Sequence, residues 1–301
     1  PTINGFYKCF FFIADWHSLT THPHPGDVTA NVRKILSEYL ACGIDPEKAA
    51  IYVQSDVKEV LELYLYLNMN AYLGELQRVT SFKEKARKQP ENVNAGLLTY
   101  PTLMAADILI HRADKVPVGK DQEQNMEMAR KFARRFNTIY GVEFFPEPQS
   151  YSFGGDAIKV PGLDGSGKMG KSEGNAIYLI DDAATIRKKV MKAVTDSGPT
   201  QPNSEKPEAI ANLFTMLKIV SSADTYDYFN EKYNACEIRY GDLKKQLAED
   251  IVNFTSPIRE RILAYAADTE YMDKVAREGA EKARASADKT IREVRKIIGF
   301  N

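Results

Sequence analysis

Two lysines that stand three residues apart in a glycine-rich segment are the residues of this chain best suited to chemistry. Lys168 and Lys171 lie in the sequence G-L-D-G-S-G-K-M-G-K-S, which occupies residues 162–172. Glycine lets a loop bring its backbone close to a ligand and change shape, and lysine supplies a point charge for phosphate. The segment is therefore typical of a loop that binds a polyphosphate and then releases it.

The residues alone leave three interpretations of this loop open. Residues 162–168 match the first part of a P-loop, G-x-x-x-x-G-K, whose next position must be Ser or Thr to bind magnesium. That position is Met169, which argues against a P-loop kinase or ATPase. Residues 168–172 instead resemble the K-M-S-K-S loop, the ATP-activating signature of class I aminoacyl-tRNA synthetases. A solvated surface loop is the plainest alternative.

The composition is that of a globular protein with nearly balanced charge. Of 301 residues, 44% are hydrophobic and 27% are charged, and the net charge is −1. Any binding to nucleic acid must therefore depend on a local basic patch. Cys9, Cys42 and Cys236 are too few and too widely spaced for a disulfide framework or a zinc site. These cysteines suit a reducing cytoplasm, and no apolar run approaches membrane-spanning length, so we expect a cytoplasmic protein without membrane contact.

The amino-terminal part of the sequence predicts a parallel β–α–β unit. Residues 9–14 form a continuous apolar run, as in a strand buried on both faces of a parallel sheet. An amphipathic helix follows and is stopped by Gly43, and residues 50–53 form a second strand. Asp15 and His17 follow the first strand at its carboxyl end, which is where open α/β sheets place their ligand sites.

The rest of the chain predicts a few mixed elements and then helices only. The pattern predicts helices over residues 57–76 and 98–111, a strand over 116–119, a helix over 121–136 and a short strand over 176–179. Two later helices have apolar faces, formed by Leu243, Leu247, Ile251 and Phe254 and by Ile291, Val294 and Ile298. The predicted fold class is α/β, with a Rossmann-like parallel-sheet nucleotide-binding domain over 1–180 and an all-helical carboxyl-terminal domain over 181–301.

Seven collinear segments carry a family resemblance. They are Asp15-Trp16-His17, Phe82-Lys83-Glu84-Lys85, Gly96-Leu97-Leu98-Thr99-Tyr100-Pro101, Leu103-Met104-Ala105-Ala106-Asp107-Ile108-Leu109, Val116-Pro117-Val118-Gly119-Lys120-Asp121-Gln122, residues 168–172, and Ala193-Val194-Thr195-Asp196-Ser197. In this order they resemble tryptophanyl-tRNA synthetases, which are class I aminoacyl-tRNA synthetases. Together they are far more specific than any one motif.

The resemblance implies a tryptophan–tRNA ligase that forms tryptophanyl-adenylate from L-tryptophan and ATP and then charges tRNA(Trp). The residues implied for catalysis are Lys85, Lys168 and Lys171. Those implied for tryptophan binding are His17, Tyr100, Met104, Asp107, Ile108, Val116, Val118 and Gln122. Those implied for ATP binding are Gly119, Asp121, Gln122, Val160, Lys168, Met169, Gly170, Lys171 and Ser172. Mg²⁺ is implied as a companion of the ATP phosphates, with few protein ligands.

Within these sets the resemblance assigns Tyr100 and Gln122 to the α-amino group of tryptophan. It places His17 near the substrate and the ribose. It also implies that the backbone of Gly119, which has no side chain, approaches adenosine. Asp121 would lie near the ribose hydroxyls with Gln122. Its position at a predicted helix start leaves the plainer role of an N-cap open.

The tryptophan assignment depends most on Asp107. This residue lies in an apolar helical run, and a buried carboxylate is costly unless it is paired. The pattern alone leaves a pairing with an arginine or a backbone group equally open. The resemblance implies instead that Asp107 accepts the indole N–H, which would reject phenylalanine because the acceptor would stay unpaired.

Two departures from the family pattern concern ATP binding. The G-x-L-H-L-G-type element that binds ATP phosphates is missing, since Pro1 and Thr2 run directly into Ile3. We expect the complete protein to carry that element between Thr2 and Ile3, and a measured mass equal to 33.8 kDa would contradict this. Gly170 stands where serine is usual, although both lysines and Ser172 are kept.

The resemblance also implies a homodimer and a domain that reads tRNA. The helices of residues 181–301 would bind the anticodon, and the last helix, about residues 272–298, is expected to pack back on the first domain. Candidate RNA-binding side chains are Lys188, Lys189, Lys192, Tyr233, Arg239, Tyr240, Lys244 and Lys245, for each of which a solvated face is the plainer alternative. Residues 64–72 are apolar enough for a dimer interface.

Two other functions stay open. Tyrosyl-tRNA synthetase has the same fold and loop, although the pattern of residues 105–108 fits tryptophan better. A non-catalytic tRNA-binding paralogue is supported only by the missing amino-terminal element, and the intact Lys168, Lys171, Asp107 and Gln122 argue against it. Amino-acid-dependent exchange of pyrophosphate into ATP would separate these functions.

Overall fold

The structure is a computed structural model that describes residues 7–151, 160–170 and 173–300, apart from the side chain of Lys120. The chain divides into two compact units. The first unit comprises Pro1–Ala157 and Asp268–Asn301, and the second unit comprises Ile158–Ala267. This division lies earlier than the domain boundary expected near residue 180, because the glycine-rich loop accepts hydrogen bonds from Asn212 and Val194 of the second unit.

Among the described residues of the first unit, two pairs of short parallel strands form the sheets. Strand β1 (Cys9–Ile13) pairs with β2 (Ala49–Val53), so that Cys9 lies opposite Ala49. Strand β3 (Lys115–Pro117) pairs with β4 (Gln149–Tyr151). The parallel pairing of β1 and β2 confirms the predicted β–α–β unit. Strand β4 was not predicted, because its residues are polar and lie in a turn-rich segment.

In chain order the helices are α1 (Asp15–Ser18), α2 (Pro25–Ala41), α3 (Glu59–Met69), α4 (Leu73–Leu76), α5 (Thr80–Lys88), α6 (Ala95–Leu109), α7 (Glu123–Tyr140), α8 (Ala183–Met191), α9 (Glu208–Val220), α10 (Ala223–Asn234), α11 (Tyr240–Ala267) and α12 (Thr269–Ile298). The helical run predicted over residues 57–76 is thus two helices. Helix α6 begins before Pro101 because the Asn94 side chain caps it by accepting the Leu97 N–H at 3.1 Å.

The last helix packs directly on a strand of the first unit. Gly279 of α12 lies so close to β2 that a Cβ atom there would stand 1.8 Å from the carbonyl oxygen of Ile51. Further along α12, Ala280, Ala283 and Ala287 are buried in the same core. These small residues let the helix approach the strand closely, and α12 therefore completes the first unit.

The second unit is helical in the part that the structure describes. Leu163 and residues of α8 to α11 form its core. Leu243, Leu247 and Ile251 are buried as predicted, whereas Phe254 is exposed. The strand predicted over residues 176–179 is wrong: this segment is irregular, since an apolar run needs a neighbouring strand to pair with. None of the helices in the described residues is long and apolar enough to cross a membrane.

Candidate functional site

A buried carboxylate lies beside the carboxyl ends of β1 and β2. Asp107 of α6 is 5% exposed. Its Oδ1 and Oδ2 atoms accept hydrogen bonds from Gln54 Nε2 at 2.8 and 2.9 Å. Its Oδ2 atom also lies 2.9 Å from His17 Nε2, which donates because an ionised carboxylate only accepts. The partners of Asp107 are thus side chains, and not the arginine or backbone group that the pattern left open.

The carboxyl group of Asp107 is buried, which is unfavourable for a negative charge. Burial raises the pKa of its carboxyl, while the hydrogen bonds from His17 and Gln54 act in the opposite direction. Burial, and next the charge of Asp107, raise the pKa of the Tyr52 hydroxyl. A carboxylate kept in such surroundings is typical of a binding site.

Three of the predicted residues form a connected row that ends at Asp107. Lys85 Nζ lies 3.8 Å from the centroid of the Tyr100 ring. The Tyr100 ring meets the His17 ring edge-on, with centroids 4.7 Å apart. Burial lowers the pKa of the Lys85 ammonium. The pKa of Tyr100 is raised by burial and then by the charges of Asp107 and Asp121. The row therefore joins a cation to a buried anion through two aromatic rings.

One polar atom in this row has no partner among the described residues. The Nδ1 atom of His17 is buried without a hydrogen bond. Because Nε2 carries the proton that faces Asp107, Nδ1 is left as an acceptor. A bound molecule with an N–H or O–H group could supply the missing donor.

The turn between β3 and α7 brings together three predicted residues. The Gln122 amide donates to Asp121 Oδ2 at 3.2 Å, and Asn125 donates to Gln122 Oε1 at 2.9 Å. A Cβ atom on Gly119 would stand 2.6 Å from Asp121 Oδ1, so the glycine leaves room for that carboxylate. Gln122, and not Asp121, occupies the N-cap position of α7, which removes the plainer role for Asp121.

The apolar residues predicted for the tryptophan pocket pack on one core. Ile108 is buried in the core of the first unit, and Met104, Val116 and Val118 pack against it while staying partly exposed. Pro117 between the two valines is exposed, which agrees with the alternation expected along a strand. These side chains can contribute an apolar wall to a neighbouring site.

The glycine-rich loop of the second unit is organised by an asparagine that sequence analysis did not single out. The Asn175 amide nitrogen donates to Asp164 Oδ1 at 2.9 Å and to the Lys168 carbonyl at 3.0 Å. Its amide oxygen accepts the Gly170 N–H at 2.9 Å. A Cβ atom on Gly162 would stand 2.2 Å from the Asn175 nitrogen, so a glycine is needed there. The Asn175 side chain therefore connects three separate positions of the loop by hydrogen bonds.

Other predicted loop residues differ in how far they can be placed. Lys168 is exposed, and the Met169 N–H donates to the Val160 carbonyl at 2.9 Å. The Met169 side chain packs on the core of the second unit. Lys171 and Ser172 lie outside the described residues, as does the junction of Thr2 with Ile3.

Several side chains predicted to face RNA are engaged within the second unit. Tyr233 is 1% exposed, so the prediction that it stacks on a base is wrong. The Tyr240 hydroxyl donates to Asp196 Oδ1 at 2.7 Å. Lys189 Nζ lies 2.6 Å from Asp181 Oδ2, and Lys244 Nζ donates to Thr195 at 3.2 Å. Periodicity alone did not reveal these partners.

Comparison with known proteins assigns the chain to a family. The family model for class I tRNA synthetases (W and Y) matches residues 3–256. The chain therefore belongs to the class I aminoacyl-tRNA synthetases of the W and Y group. Tryptophan–tRNA ligase from Porphyromonas gingivalis is 79% identical over 294 residues, which cover 98% of this chain and 90% of that protein. The corresponding ligase of Listeria monocytogenes serotype 4b is 40% identical and covers 98% and 88%.

A solved structure agrees with this assignment. Tryptophanyl-tRNA synthetase from Campylobacter jejuni, crystallised with ADP and tryptophan, superposes with a TM-score of 0.87 at 32% identity and covers 99% of this chain and 92% of that one. The resemblance to tryptophanyl-tRNA synthetases and the predicted fold class are thereby confirmed.

Proposed function

We propose that this chain is a tryptophan–tRNA ligase. The carboxylate of L-tryptophan attacks the α-phosphorus of ATP and displaces pyrophosphate, which leaves tryptophanyl-adenylate. A terminal ribose hydroxyl of tRNA(Trp) then attacks the acyl carbon, and AMP departs. The names of the relatives support this reaction. The single observation that carries it is the buried Asp107, held by Gln54 and His17 beside the ends of two parallel strands.

Asp107 would accept the indole N–H of tryptophan. Its Oδ2 atom receives two hydrogen bonds and its Oδ1 atom receives one from the described residues. A carboxylate offers about four acceptor positions, so one position on Oδ1 remains for a ligand. Met104 lies one helical turn before Asp107, and its polarizable sulfur suits an aromatic ring.

The α-amino group of tryptophan would bind to Tyr100 and Gln122. The unpartnered Nδ1 atom of His17 is a buried acceptor that the ammonium or a ribose hydroxyl could satisfy. Asp121 lies close enough to Tyr100 for its charge to affect the pKa of that hydroxyl. These groups together suit a cationic ligand group beside an indole.

Lysines would stabilise the charge that develops on the phosphate oxygens. Lys85, Lys168 and Lys171 are the residues we assign to this role. No general base is needed, because the attacking carboxylate is already an anion. No group of three or more His, Cys, Asp or Glu side chains among the described residues could hold a metal ion. Mg²⁺ would accompany the phosphates of ATP, with few protein ligands.

The second unit would bind the anticodon of tRNA(Trp). It contains a cavity of about 570 Å³ lined by Tyr228, Phe229, Lys232, Cys236, Glu237, Ile238, Arg239 and Asp242. The Tyr228 ring is exposed there, and arginine and lysine side chains stand beside it, a combination suited to a splayed base. This cavity, rather than Tyr233, is our candidate for base recognition.

We also propose a cytoplasmic homodimer. Residues on and after α3 expose large apolar side chains, which are Leu61, Leu65, Met69, Tyr72 and Leu73. An exposed patch of this kind marks a contact surface in soluble proteins. Its position on residues 61–73 overlaps the segment 64–72 predicted for the interface.

Pyrophosphate exchange into ATP tests the proposal. The complete protein should exchange pyrophosphate with tryptophan and far more slowly with tyrosine or phenylalanine. Asp107→Asn should lower kcat/KM for tryptophan by about 100-fold, because it removes a charged acceptor. Asp114→Asn is a matched control, since Asp114 is exposed.

Three outcomes would contradict the proposal. Faster exchange with tyrosine would favour a tyrosyl-tRNA synthetase, and no exchange with any amino acid would favour a non-catalytic tRNA-binding protein. ATP hydrolysis without an amino acid would revive the P-loop interpretation. Charging of tRNA(Trp) with labelled tryptophan then tests the second step.

A further inference from the structure

Gln54 is a buried polar residue that no predicted role includes. It follows directly after β2, and its side chain is buried, with 1% of the residue exposed. Its amide nitrogen contacts both oxygens of Asp107, at 2.8 and 2.9 Å. A side chain this deeply buried with such contacts does more than fill space, because it donates to both oxygens of the carboxylate.

The orientation of the Gln54 amide is fixed from its other end. Its Oε1 atom accepts the backbone N–H of Trp16 at 3.1 Å. A backbone N–H can only donate, so the oxygen must face Trp16 and the nitrogen must face Asp107. The same Trp16 N–H lies 3.0 Å from Asp15 Oδ1, and Asp15 also accepts the Ser55 N–H. The two strand ends thereby hold the amide in one orientation.

We infer that Gln54 is a positioning residue that determines specificity: its amide holds Asp107 as an acceptor with a single open position that only an N–H or O–H donor can use. This inference rests on the proposed function. It also explains why the carboxylate keeps its orientation, because rotation of the Asp107 side chain would break two hydrogen bonds with Gln54.

The groups around Asp107 act on the pKa of its carboxyl in both directions, and Gln54 is one of those that lower it. The titratable groups that face it are His17 and Asp15 near β1, Tyr52 of β2 and Tyr100 of α6, with Asp121 and Lys85 next to Tyr100. Burial, and to a smaller extent the charge of Asp15, favour the protonated carboxyl, whereas the donors His17 and Gln54 favour the anion. Removal of Gln54 therefore shifts this balance toward a protonated carboxyl, which is a poorer acceptor.

The test measures binding of L-tryptophan and of 3-benzothienylalanine, which has sulfur in place of the indole N–H, by calorimetry on the complete protein without ATP. Gln54→Met keeps the side-chain length but removes the donor. We expect tryptophan to bind this variant about tenfold or more weakly at neutral pH, with little change for the sulfur analogue. We also expect tryptophan affinity to be lost at a higher pH than in the parent protein as the pH is lowered.

Gln246→Met is the matched control. Gln246 also donates to an aspartate, Asp250, at 3.0 Å, but it is exposed on α11. Its affinity ratio for the two ligands and its pH profile should equal those of the parent protein. Equal ratios and pH profiles in Gln54→Met and the parent protein would overturn the inference.

A second variant covers the case in which Gln54→Met does not fold. In Gln54→Glu, a protonated carboxyl can still donate to Asp107, whereas an ionised one repels it. Tryptophan affinity in this variant should therefore fall as the pH rises, which is opposite to the parent protein. A parent-like profile would overturn the inference. Asp107→Ala, which removes every side-chain acceptor at this position, tests the proposed function separately: if this variant keeps the preference for tryptophan over the sulfur analogue, the assignment of Asp107 to the indole N–H fails.

Discussion

The ammonium group of Lys85 lies over the face of the Tyr100 ring, with Nζ 3.8 Å from the ring centroid. The Tyr100 ring also meets the His17 ring edge-on, and His17 donates a hydrogen bond to Asp107. A single aromatic ring thus positions a lysine we assign to catalysis and a histidine we assign to substrate binding.

Two substitutions of Tyr100 should separate its ring from its hydroxyl. Tyr100→Phe keeps the ring and its cation–π contact, so we expect the melting temperature to stay unchanged while KM for tryptophan rises about tenfold through loss of one hydrogen bond. Tyr100→Leu also removes a cation–π contact of about 0.5–2 kcal/mol, so kcat should fall as well. The kinetics of pyrophosphate exchange give KM and kcat of the two variants, and thermal unfolding gives their melting temperatures. Identical behaviour of the two variants would contradict this division of roles.

His111 should make the stability of the protein sensitive to acid. Burial, and then the charge of Lys8, lower the pKa of His111 from 6.5 to about 4. The ring stacks on Phe10 and its Nε2 atom lies 2.9 Å from the Tyr52 hydroxyl. Because the unfolded chain binds a proton below pH 6.5 and the folded chain only near pH 4, stability is lost as the pH falls through this window. The loss should amount to about 3 kcal/mol.

Chemical denaturation between pH 7 and 4 checks this expectation. His111→Gln cannot take up the proton, so its stability should depend less on pH over this range than that of the parent protein. His22→Asn is the control, since His22 is exposed and has a positive φ that asparagine tolerates. Equal slopes for His111→Gln and the parent protein would show that His111 does not cause the effect.

Asn175→Ala should weaken catalysis without affecting tryptophan binding. The substitution removes the donor to Asp164 and Lys168 and the acceptor for Gly170, so the lysine loop loses its internal ties. Two to three lost hydrogen bonds of about 1 kcal/mol each predict a fall in kcat for pyrophosphate exchange of roughly 30-fold. Asn253→Ala on the exposed face of α11 is the control. A weaker Kd for tryptophan alone would point to a wider structural effect.

Two glycines in helices should respond to alanine in opposite directions. Gly279→Ala places a methyl group against the Ile51 carbonyl, with a separation of 1.8 Å before relaxation, and we expect destabilisation of about 3 kcal/mol or more. Gly241→Ala in α11 meets nothing within 4 Å and should stabilise by about 0.5–1 kcal/mol. Denaturant unfolding of both variants measures the difference. A Gly279→Ala variant as stable as the parent protein would contradict the close packing of α12 on β2, and a destabilised Gly241→Ala variant would contradict the open space beside Gly241.

Local patterns predicted much of the first unit. The apolar runs of β1 and β2 are continuous, so the parallel pair and the polar residues at its carboxyl ends followed from the sequence. Asp107 was singled out because a carboxylate is unusual in an apolar helix. Its role as an indole acceptor stays a prediction.

Pairings between distant segments were not predictable. Gln54 and Asp107 are 53 residues apart, and no local pattern indicates that an amide will meet a carboxylate there. Asn175 was missed because asparagine is ordinary in a glycine-rich loop. Tyr233 was misplaced because the helical period does not show which helix covers a ring. Such contacts depend on packing, which one helix or one loop does not determine.

The path of the chain through the two units has a consequence for synthesis. Helix α12 belongs to the first unit but follows all of the second unit in the chain. A ribosome therefore completes the second unit while the first unit still lacks this helix. The face of β2 that Gly279 covers stays exposed until α12 has been synthesised. The first unit can therefore become complete only after the whole second unit has been synthesised, and a truncated product without α12 would expose an apolar face to chaperones.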